Sequence, residues 1–165
     1  MTTLDLTGSR LTAVLAAPVS VSWQSPSNIA LVKYWSKKGR QLPVNPSLSM
    51  TLSGAHTITT LTALPRETEG NVNLDFWFEG KQNPAFGERM RKFADSITDI
   101  FPWLQQVNLK LETQNTFPHS AGIASSASAF SALALCLCSL DSELSGIILE
   151  ESEFRSKASY VARLG

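Results

Sequence analysis

Residues 115–129 read NTFPHSAGIASSASA and consist mainly of small and polar residues. This segment leads directly into an apolar stretch. Pro118 interrupts regular structure, and Gly122 lets the backbone approach a ligand closely. Ser125 and Ser126 bring hydroxyl groups to the start of the helix that the apolar residues predict. The first amides of a helix are unpaired and carry partial positive charge, so they can hold a phosphate group. The loop therefore predicts an anion site; the alternative is that its serines only cap the helix.

A second segment, SNIALVKYWSKK, gathers cations beside aromatic residues. These residues are Lys33, Tyr34, Trp35, Lys37 and Lys38. The whole chain carries 14 basic and 14 acidic residues, so no overall field attracts anions and any anion site must be built locally. Taken alone, such lysines are most often solvated surface residues.

The balanced charge also argues against nucleic acid or a membrane surface as a partner. Cys136 and Cys138 lie two residues apart on one predicted helix, where they point to different sides and cannot pair with each other. They are typical of core residues in a reducing compartment. The apolar residues 11–18 are too few to span a bilayer. We expect a cytoplasmic protein, and the 165 residues suit one compact domain.

Alternation of apolar and polar residues at period two predicts strands. The segments concerned are residues 14–23, 47–53, 57–62, 71–78 and 107–113. Glycine, proline and asparagine within residues 39–46 predict a turn, as does the Glu79-Gly80 pair. Together these segments suggest an antiparallel sheet.

Apolar residues spaced three and four apart predict helices. One runs from about Ala85 to Phe101, where Pro102 ends it, and another follows Ser125 to about Leu140. A last helix is predicted from Leu144 to Ala162. Strands grouped beside a few helices, without strict alternation, favour an α+β fold.

Three segments together resemble the mevalonate diphosphate decarboxylases, which belong to the superfamily of galactokinase, homoserine kinase and mevalonate kinase (GHMP). Residues 25–37, SPSNIALVKYWSK, look like the family's APxNIAxxKYWGK, and residues 42–52, LPVNPSLSMTL, look like its LPxNxSLSxTL. Residues 115–127, NTFPHSAGIASSA, resemble NNFPTAAGLASSA. The order and spacing of the segments agree with the family over about residues 20–165.

The resemblance implies a GHMP-kinase N-terminal domain over residues 1–165, a ribosomal protein S5 domain 2-like α+β fold whose mixed or antiparallel sheet packs against helices. The implied activity is ATP-dependent decarboxylation of mevalonate 5-diphosphate, which yields isopentenyl diphosphate, ADP, phosphate and carbon dioxide in isoprenoid biosynthesis. The implied cofactors are ATP and Mg²⁺, and the implied assembly is a homodimer.

The same resemblance assigns roles in binding the substrate. Lys33 matches an active-site lysine near the carboxylate and 3-hydroxyl of the substrate. Arg89, in the short match Gly87-Glu-Arg89, resembles an arginine that grips the substrate diphosphate. The matched diphosphate-binding segment is Tyr34, Trp35, Ser36 and Lys37. Ser36 replaces the family's glycine and adds a side chain beside the diphosphate.

The ATP phosphate loop is matched residue by residue. Its members are Pro118, Ser120, Ala121, Gly122, Ala124, Ser125 and Ser126. Ser126 is also the expected contact for Mg²⁺. His119 and Ser120 replace the family's threonine and alanine, and His119 is most simply interpreted as an exposed loop residue.

In the family, a loop GSGSAxRS with a catalytic arginine would begin where this chain ends at Gly165, and a catalytic aspartate lies in a C-terminal domain. We therefore expect an incomplete N-terminal domain, without the C-terminal GHMP domain, that does not decarboxylate by itself. Two alternatives within the superfamily stay open, a mevalonate 3-kinase and a phosphomevalonate decarboxylase. A third alternative is a non-catalytic nucleotide-binding fragment.

Overall fold

The computed structural model describes residues 8–118 and 125–165, which form a sheet with helices on one face. The strands are β1 Val19–Val32, β2 Lys37–Lys38, β3 Leu42–Pro43, β4 Leu48–Leu64, β5 Asn73–Phe78, β6 Lys81–Gln82 and β7 Asn108–Asn115. The helices are α1 Pro84–Asp95, α2 Ser125–Ser145 and α3 Glu151–Arg163, with a 3-10 helix at Pro102–Gln105. Five strands pair in the order β1-β4-β7-β5-β6, while β2 and β3 form a separate hairpin. The α+β prediction is confirmed.

The two strands at one edge are longer than the sequence predicted. β4 is a single strand where two separate strands were expected, and β1 begins at Val19 and continues through Pro26. Proline cannot donate a ladder hydrogen bond, but β1 is the edge strand and leaves one side of its backbone unpaired. The pairing shifts register between Pro26 and Asn28, as expected for a bulge beside the proline.

Beyond the end of β7, β1 and β4 pair only with each other. β7 ends at Asn115 opposite Thr57, whereas β4 extends back to Leu48, which pairs with Val32. We call residues 28–52 the distal ribbon. Its exposed apolar side chains include Ile29, Leu31, Val32, Leu48 and Met50. The distal ribbon therefore contributes little to the buried core.

The sheet is mixed: β5 pairs in parallel with β7, and the other strand pairs of the sheet are antiparallel. A purely antiparallel sheet is therefore the wrong alternative. The parallel pair needs a crossover, which α1 provides. The predicted turn at Glu79-Gly80 joins β5 to β6, and both residues have positive φ, 49° and 75°, as in the favoured two-residue hairpin turns.

The core lies between the sheet and the helices. α2 packs on β1 and β4, α1 packs on β5, and α3 packs on α2. The buried strand residues alternate, as the period-two pattern predicted; they include Leu61, Ala63, Phe76, Leu109 and Leu111. Thr60, Thr62, Lys110 and Glu112 lie at the intervening positions and are not buried. One face of the sheet is thus apolar and the other polar.

α2 is long and apolar enough to cross a membrane by length and composition, yet half of its most apolar window is buried inside the domain. A core helix has the same composition. Cys136 and Cys138 lie on this helix, and both are buried and free, as predicted. Burial raises the pKa of both thiols to about 12, so neither is a nucleophile at neutral pH.

Two helix boundaries differ from the prediction. α1 ends at Asp95, well before Pro102, although Ile97, Ile100 and Phe101 are buried as the apolar spacing required. The predicted last helix is interrupted because Gly146, with φ of 71°, ends α2 in the left-handed region. α3 then starts at Glu151.

A buried ion pair joins α2 to α3. Lys157 is 4% exposed, and its ammonium donates to Asp141 Oδ2 at 2.9 Å. Trp103 Nε1 donates to Asp141 Oδ1 at 2.9 Å, and the Lys157 ammonium lies 5.1 Å from the centre of the Phe101 ring. Because every charged group here has a partner, the pair fixes α2 and α3 relative to the 3-10 helix.

Candidate functional site

A cavity of about 280 Å³ opens between α1, the ends of β5 and β7, and the first turns of α2. Its wall is mainly aromatic and aliphatic, formed by Phe76, Phe78, Phe86, Met90, Leu111, Ala129, Phe130 and Leu133. Polar side chains reach it from Thr59, Asn83, Arg89, Thr113, Asn115, Ser125 and Ser126. Such a cavity suits a flat apolar group attached to an anion.

Arg89 reaches the cavity because α1 begins where it does. The helix is capped by Asn83, whose Oδ1 accepts from the Phe86 amide at 3.2 Å, and Pro84 occupies a favoured first position. The Asn83 amide in turn donates to the Phe76 carbonyl of β5 at 3.0 Å. This contact fixes the start of the helix at the end of the sheet.

The Arg89 guanidinium is available to bind an anion. It lies 5.7 Å from the centre of the Phe86 ring. Within residues 8–118 and 125–165, no carboxylate forms an ion pair with it. The neighbouring Arg91 differs, because Glu88 and Asp95 both bind it. Arg89 is thus a cation that the described residues leave unneutralised at the cavity.

The first turn of α2 brings Ser125 and Ser126 to the same cavity. Ser125 is half-buried and Ser126 is exposed, so the Ser126 hydroxyl is open to a ligand. Pro118 is exposed and lies just beyond the end of β7. Of the other predicted loop residues, Ser120, Ala121, Gly122 and Ala124, together with His119, lie outside the described part of the chain.

The second predicted group, Lys33 to Lys37, lies in the distal ribbon, from just after β1 to the first residue of β2, and all five residues are exposed. Trp35 is 92% exposed. The Asn45 side chain holds the backbone of this segment: its Oδ1 accepts from the Trp35 amide at 2.8 Å, and its Nδ2 donates to the Lys33 carbonyl at 3.3 Å. The Lys37 ammonium lies 5.9 Å from the centre of the Tyr34 ring.

Arg40 ties the distal ribbon to the helical layer. Its guanidinium donates to both carboxylate oxygens of Asp99, at 2.8 and 3.1 Å, and to the Ser96 carbonyl at 2.6 Å. The hydrogen bond from Arg40 lowers the pKa of the Asp99 carboxyl. Arg40 lies in the turn between β2 and β3, where Gly39 has a φ of 55°, a conformation that favours glycine.

The structure brings some of the predicted site residues together at one cavity and places others outside it. Arg89, Ser125 and Ser126 line one cavity although they are far apart in sequence. None of Lys33, Tyr34, Trp35, Ser36 and Lys37 is among the described residues that line it. The prediction that the lysine segment shares a pocket with the helix terminus therefore stays a prediction.

Sequence reasoning missed several residues of the site. Asn45 is part of the quoted LPVNPS segment, and an asparagine between two prolines in a predicted turn was the signal that could have identified it. Asn83 precedes Pro84, a helix-start pattern that likewise could have been recognised. The apolar residues of the cavity carried no such signal, because period two marks core and cavity wall alike.

Comparison with known proteins gives the family context of this geometry. The family described as diphosphomevalonate decarboxylase-like N-terminal domain matches residues 25–165. A diphosphomevalonate decarboxylase of Candida albicans is 36% identical over 132 residues, which are 73% of this chain and 36% of that protein. The chain spans about a third of the length of the curated relatives it matches.

Solved structures of similar fold agree. The mevalonate diphosphate decarboxylase from Enterococcus faecalis, described by its mevalonate diphosphate mediated ATP binding mechanism, has a TM-score of 0.66 and 29% identity, covering 88% of this chain and 43% of that one. A structure described as MDDEF in complex with MVAPP, AMPPCP and magnesium has a TM-score of 0.67 and 30% identity, covering 88% and 42%. The family match over residues 25–165 includes both the distal ribbon and the residues that line the cavity.

Proposed function

Because the chain belongs to the diphosphomevalonate decarboxylase-like N-terminal domain family, we propose that its gene product uses ATP to decarboxylate mevalonate 5-diphosphate. The products are isopentenyl diphosphate, ADP, phosphate and carbon dioxide, in isoprenoid biosynthesis. The observation that carries the proposal is the convergence of Arg89, Ser125 and Ser126 on one cavity beside a helix N-terminus. Catalysis of this kind needs local donors for two polyphosphates, since the chain as a whole is neutral.

The cavity and the first turn of α2 fit a nucleotide. The aromatic and aliphatic wall suits the base, while the amides of the first turn and the serine hydroxyls suit the phosphates. Pro118 to Ser126 form the phosphate loop in this proposal, with the exposed Ser126 hydroxyl toward Mg²⁺. When bound, ATP supplies the phosphoryl group that makes the substrate's tertiary hydroxyl a leaving group. Two similar structures support this assignment: one is described by its ATP binding mechanism and the other as a complex with AMPPCP and magnesium.

The segment Lys33 to Lys37 binds the substrate in this proposal. Within the described residues, Lys33 and Lys37 form no ion pair, so no carboxylate competes with an anionic substrate for either ammonium. Lys33 acts near the carboxylate, and Tyr34, Trp35, Ser36 and Lys37 bind the diphosphate. A lysine ammonium there stabilises the negative charge of the carboxylate and of the departing phosphate.

The rest of the catalytic machinery is proposed to lie elsewhere in the full-length protein. The matched region is about a third of the length of these relatives. In this proposal residues 1–165 supply the N-terminal domain and do not decarboxylate alone. We propose a homodimer in the cytoplasm as the working form.

The activity is tested on the protein made from its complete gene. With ATP and mevalonate 5-diphosphate, inorganic phosphate and carbon dioxide should appear in equal amounts. ADP without carbon dioxide would contradict a decarboxylase and favour a mevalonate 3-kinase. Supplying mevalonate, its 5-phosphate and its 5-diphosphate in turn separates the three related activities, and only the diphosphate should react efficiently. Binding of ATP without turnover of any of these substrates would favour the non-catalytic nucleotide-binding alternative, and failure of the complete protein to bind ATP would contradict the proposed function.

A variant of Arg89 tests its proposed contact with the substrate diphosphate. Arg89→Ala should raise the KM for mevalonate 5-diphosphate about 10- to 100-fold, the cost of losing a hydrogen bond between charged groups, and change the KM for ATP much less. Arg91→Ala on the same helix is the control, because Glu88 and Asp95 already bind that side chain. A larger rise in the KM for ATP would assign Arg89 to the nucleotide instead.

A further inference from the structure

Two buried hydroxyls connect the first turn of α2 to the sheet. Thr57 of β4 is 0% exposed and Ser128 of α2 is 1% exposed, and their hydroxyl oxygens are 2.6 Å apart. Thr57 also donates to Asn115 Oδ1 at 2.8 Å, at the end of β7. The Ser128 hydroxyl has one hydrogen, and because Thr57 donates to Asn115, Ser128 shares its own between the Thr57 hydroxyl and the Ser125 carbonyl, which lies 3.1 Å away. The chain of contacts thus runs from the sheet to the first residue of α2.

Position 57 carries a polar side chain although it is fully buried. The inward positions of β4 are Thr57, Thr59, Leu61 and Ala63, so the strand changes from apolar to polar as it nears the anion site. A buried hydroxyl costs free energy unless it is hydrogen-bonded, and valine has nearly the same shape without that requirement. A hydroxyl at this position is therefore best explained by what it holds in place.

Its contacts show what it holds. Asn115 and Ser125 both line the cavity, and Thr57 reaches the first directly and the second through Ser128. A helix can rotate or slide on a smooth apolar surface, whereas a short hydroxyl contact fixes one turn at one position. The direction of the first amides of α2 depends on that position.

We propose that Thr57 is a positioning residue for the phosphate site, acting through Ser128 to orient the first turn of α2. The inference rests on the proposed function, in which that turn binds the phosphates of ATP. Thr57 itself does not reach the ligand. Its role differs from simple stabilisation because it predicts a selective loss: contacts to phosphate weaken, while contacts to the base in the apolar cavity stay.

Matched variants of the protein from its complete gene separate the two roles. Thr57→Val removes the hydroxyl and keeps the shape, and Thr57→Ser keeps the hydroxyl. Thr62→Val is the control, since this threonine lies on the outer face of the same strand and loses one hydroxyl contact, 2.9 Å to Ser20. Calorimetry measures the Kd of Mg-ATP, and ligand-observed NMR measures the Kd of adenosine. Both measurements are made at a temperature below the unfolding midpoint of each variant.

Thr57→Val should weaken Mg-ATP binding about tenfold, as expected for one misdirected hydrogen-bonding group, and leave adenosine binding unchanged. Thr57→Ser should bind Mg-ATP with nearly the wild-type affinity, because it keeps the hydroxyl. Thr62→Val should also bind Mg-ATP with the wild-type affinity. Equal losses for Mg-ATP and adenosine, or no loss in Thr57→Val, would overturn the inference. If the wild type itself does not bind Mg-ATP, the proposed function fails instead.

Ser128→Ala gives a second, independent test in case Thr57→Val does not fold, because alanine is well tolerated within a helix. It should reproduce the selective loss of Mg-ATP affinity. The double variant should bind Mg-ATP no more weakly than the worse single variant, since both changes break the Thr57–Ser128 contact that the proposal holds responsible. Additive losses would show that the two hydroxyls act separately and would contradict the proposal.

Discussion

The cavity and the distal ribbon carry the two halves of the proposed site, and the structure supports them differently. The cavity half lies on the core, where Arg89 projects from a capped helix and the serines from a helix packed on β1 and β4. The ribbon half projects beyond β7, and its segment Lys33 to Lys37 is exposed throughout. Burial positions the first half, whereas a few polar contacts position the second.

The difference shows how each half responds to change. The cavity half is preorganised, because moving it would disturb the packing of the core. The ribbon half relies on Asn45 and Arg40, whose contacts bury little apolar surface. Loss of a core contact should therefore affect the stability of the whole domain, and loss of a ribbon contact should affect substrate binding with little change in stability.

The largest expected effect is on the core that supports the cavity half. Asp141→Ala leaves the Lys157 ammonium and the Trp103 indole without their buried partner. The free energy of unfolding should fall by about 3–5 kcal/mol, as is usual when one member of a buried ion pair is removed. Urea denaturation measures the change.

The control for this experiment is Arg155→Ala, whose side chain pairs with Glu151 on the surface and should matter little to stability. Replacing both members of the buried pair, as Asp141→Leu with Lys157→Met, should recover much of the lost stability. A loss below about 1 kcal/mol for Asp141→Ala would mean that the pair does not support α2 and α3 as described.

A smaller effect is expected at the ribbon half. Asn45→Ala removes the hydrogen bonds to the Trp35 amide and the Lys33 carbonyl. The KM for mevalonate 5-diphosphate should rise about tenfold, and the free energy of unfolding should change by about 1 kcal/mol, because these bonds hold only a local loop. Steady-state kinetics and urea denaturation measure both quantities.

The matched control is Asn108→Ala, which loses side-chain bonds to the Pro65 carbonyl and to Asn73 in the sheet. Its KM for the substrate should equal that of the wild type. A parallel rise in the KM for ATP in Asn45→Ala would show that the two halves are coupled more tightly than their contacts indicate.

The smallest effect is expected at the contact between the ribbon and the helical layer. Arg40 lowers the pKa of the Asp99 carboxyl in the folded protein below the ordinary value of 3.8. The pair therefore stabilises the fold fully above that ordinary value, and its contribution is lost as the pH falls through the lowered pKa. Because both side chains are largely exposed, the contribution is below about 1 kcal/mol.

Arg40→Gln should return the pKa of Asp99 toward 3.8, as an NMR titration of the carboxyl group would show. Hydrogen exchange of residues 37–41 should become faster, while that of β4 should not change. An unchanged Asp99 pKa would show that Arg40 is not bound there in solution.

Local patterns explain which parts of the fold were predictable. β7 was predicted almost to the residue because alternation alone marks a half-buried strand. The continuation of β1 through Pro26 was missed, because only the position of β1 at the sheet edge makes the proline acceptable there. The parallel pairing of β5 with β7 was likewise invisible, since period two does not reveal strand direction.

The sequence by itself determined the α+β class, the family resemblance and the residue types for binding anions, because these depend on short spacings along the chain. The tertiary structure alone decided that Arg89 joins Ser125 and Ser126 at one cavity. It alone placed Thr57 under α2 and left the lysine segment on an exposed ribbon. These facts arise from contacts between residues distant in sequence, which form only when the sheet and helices pack together.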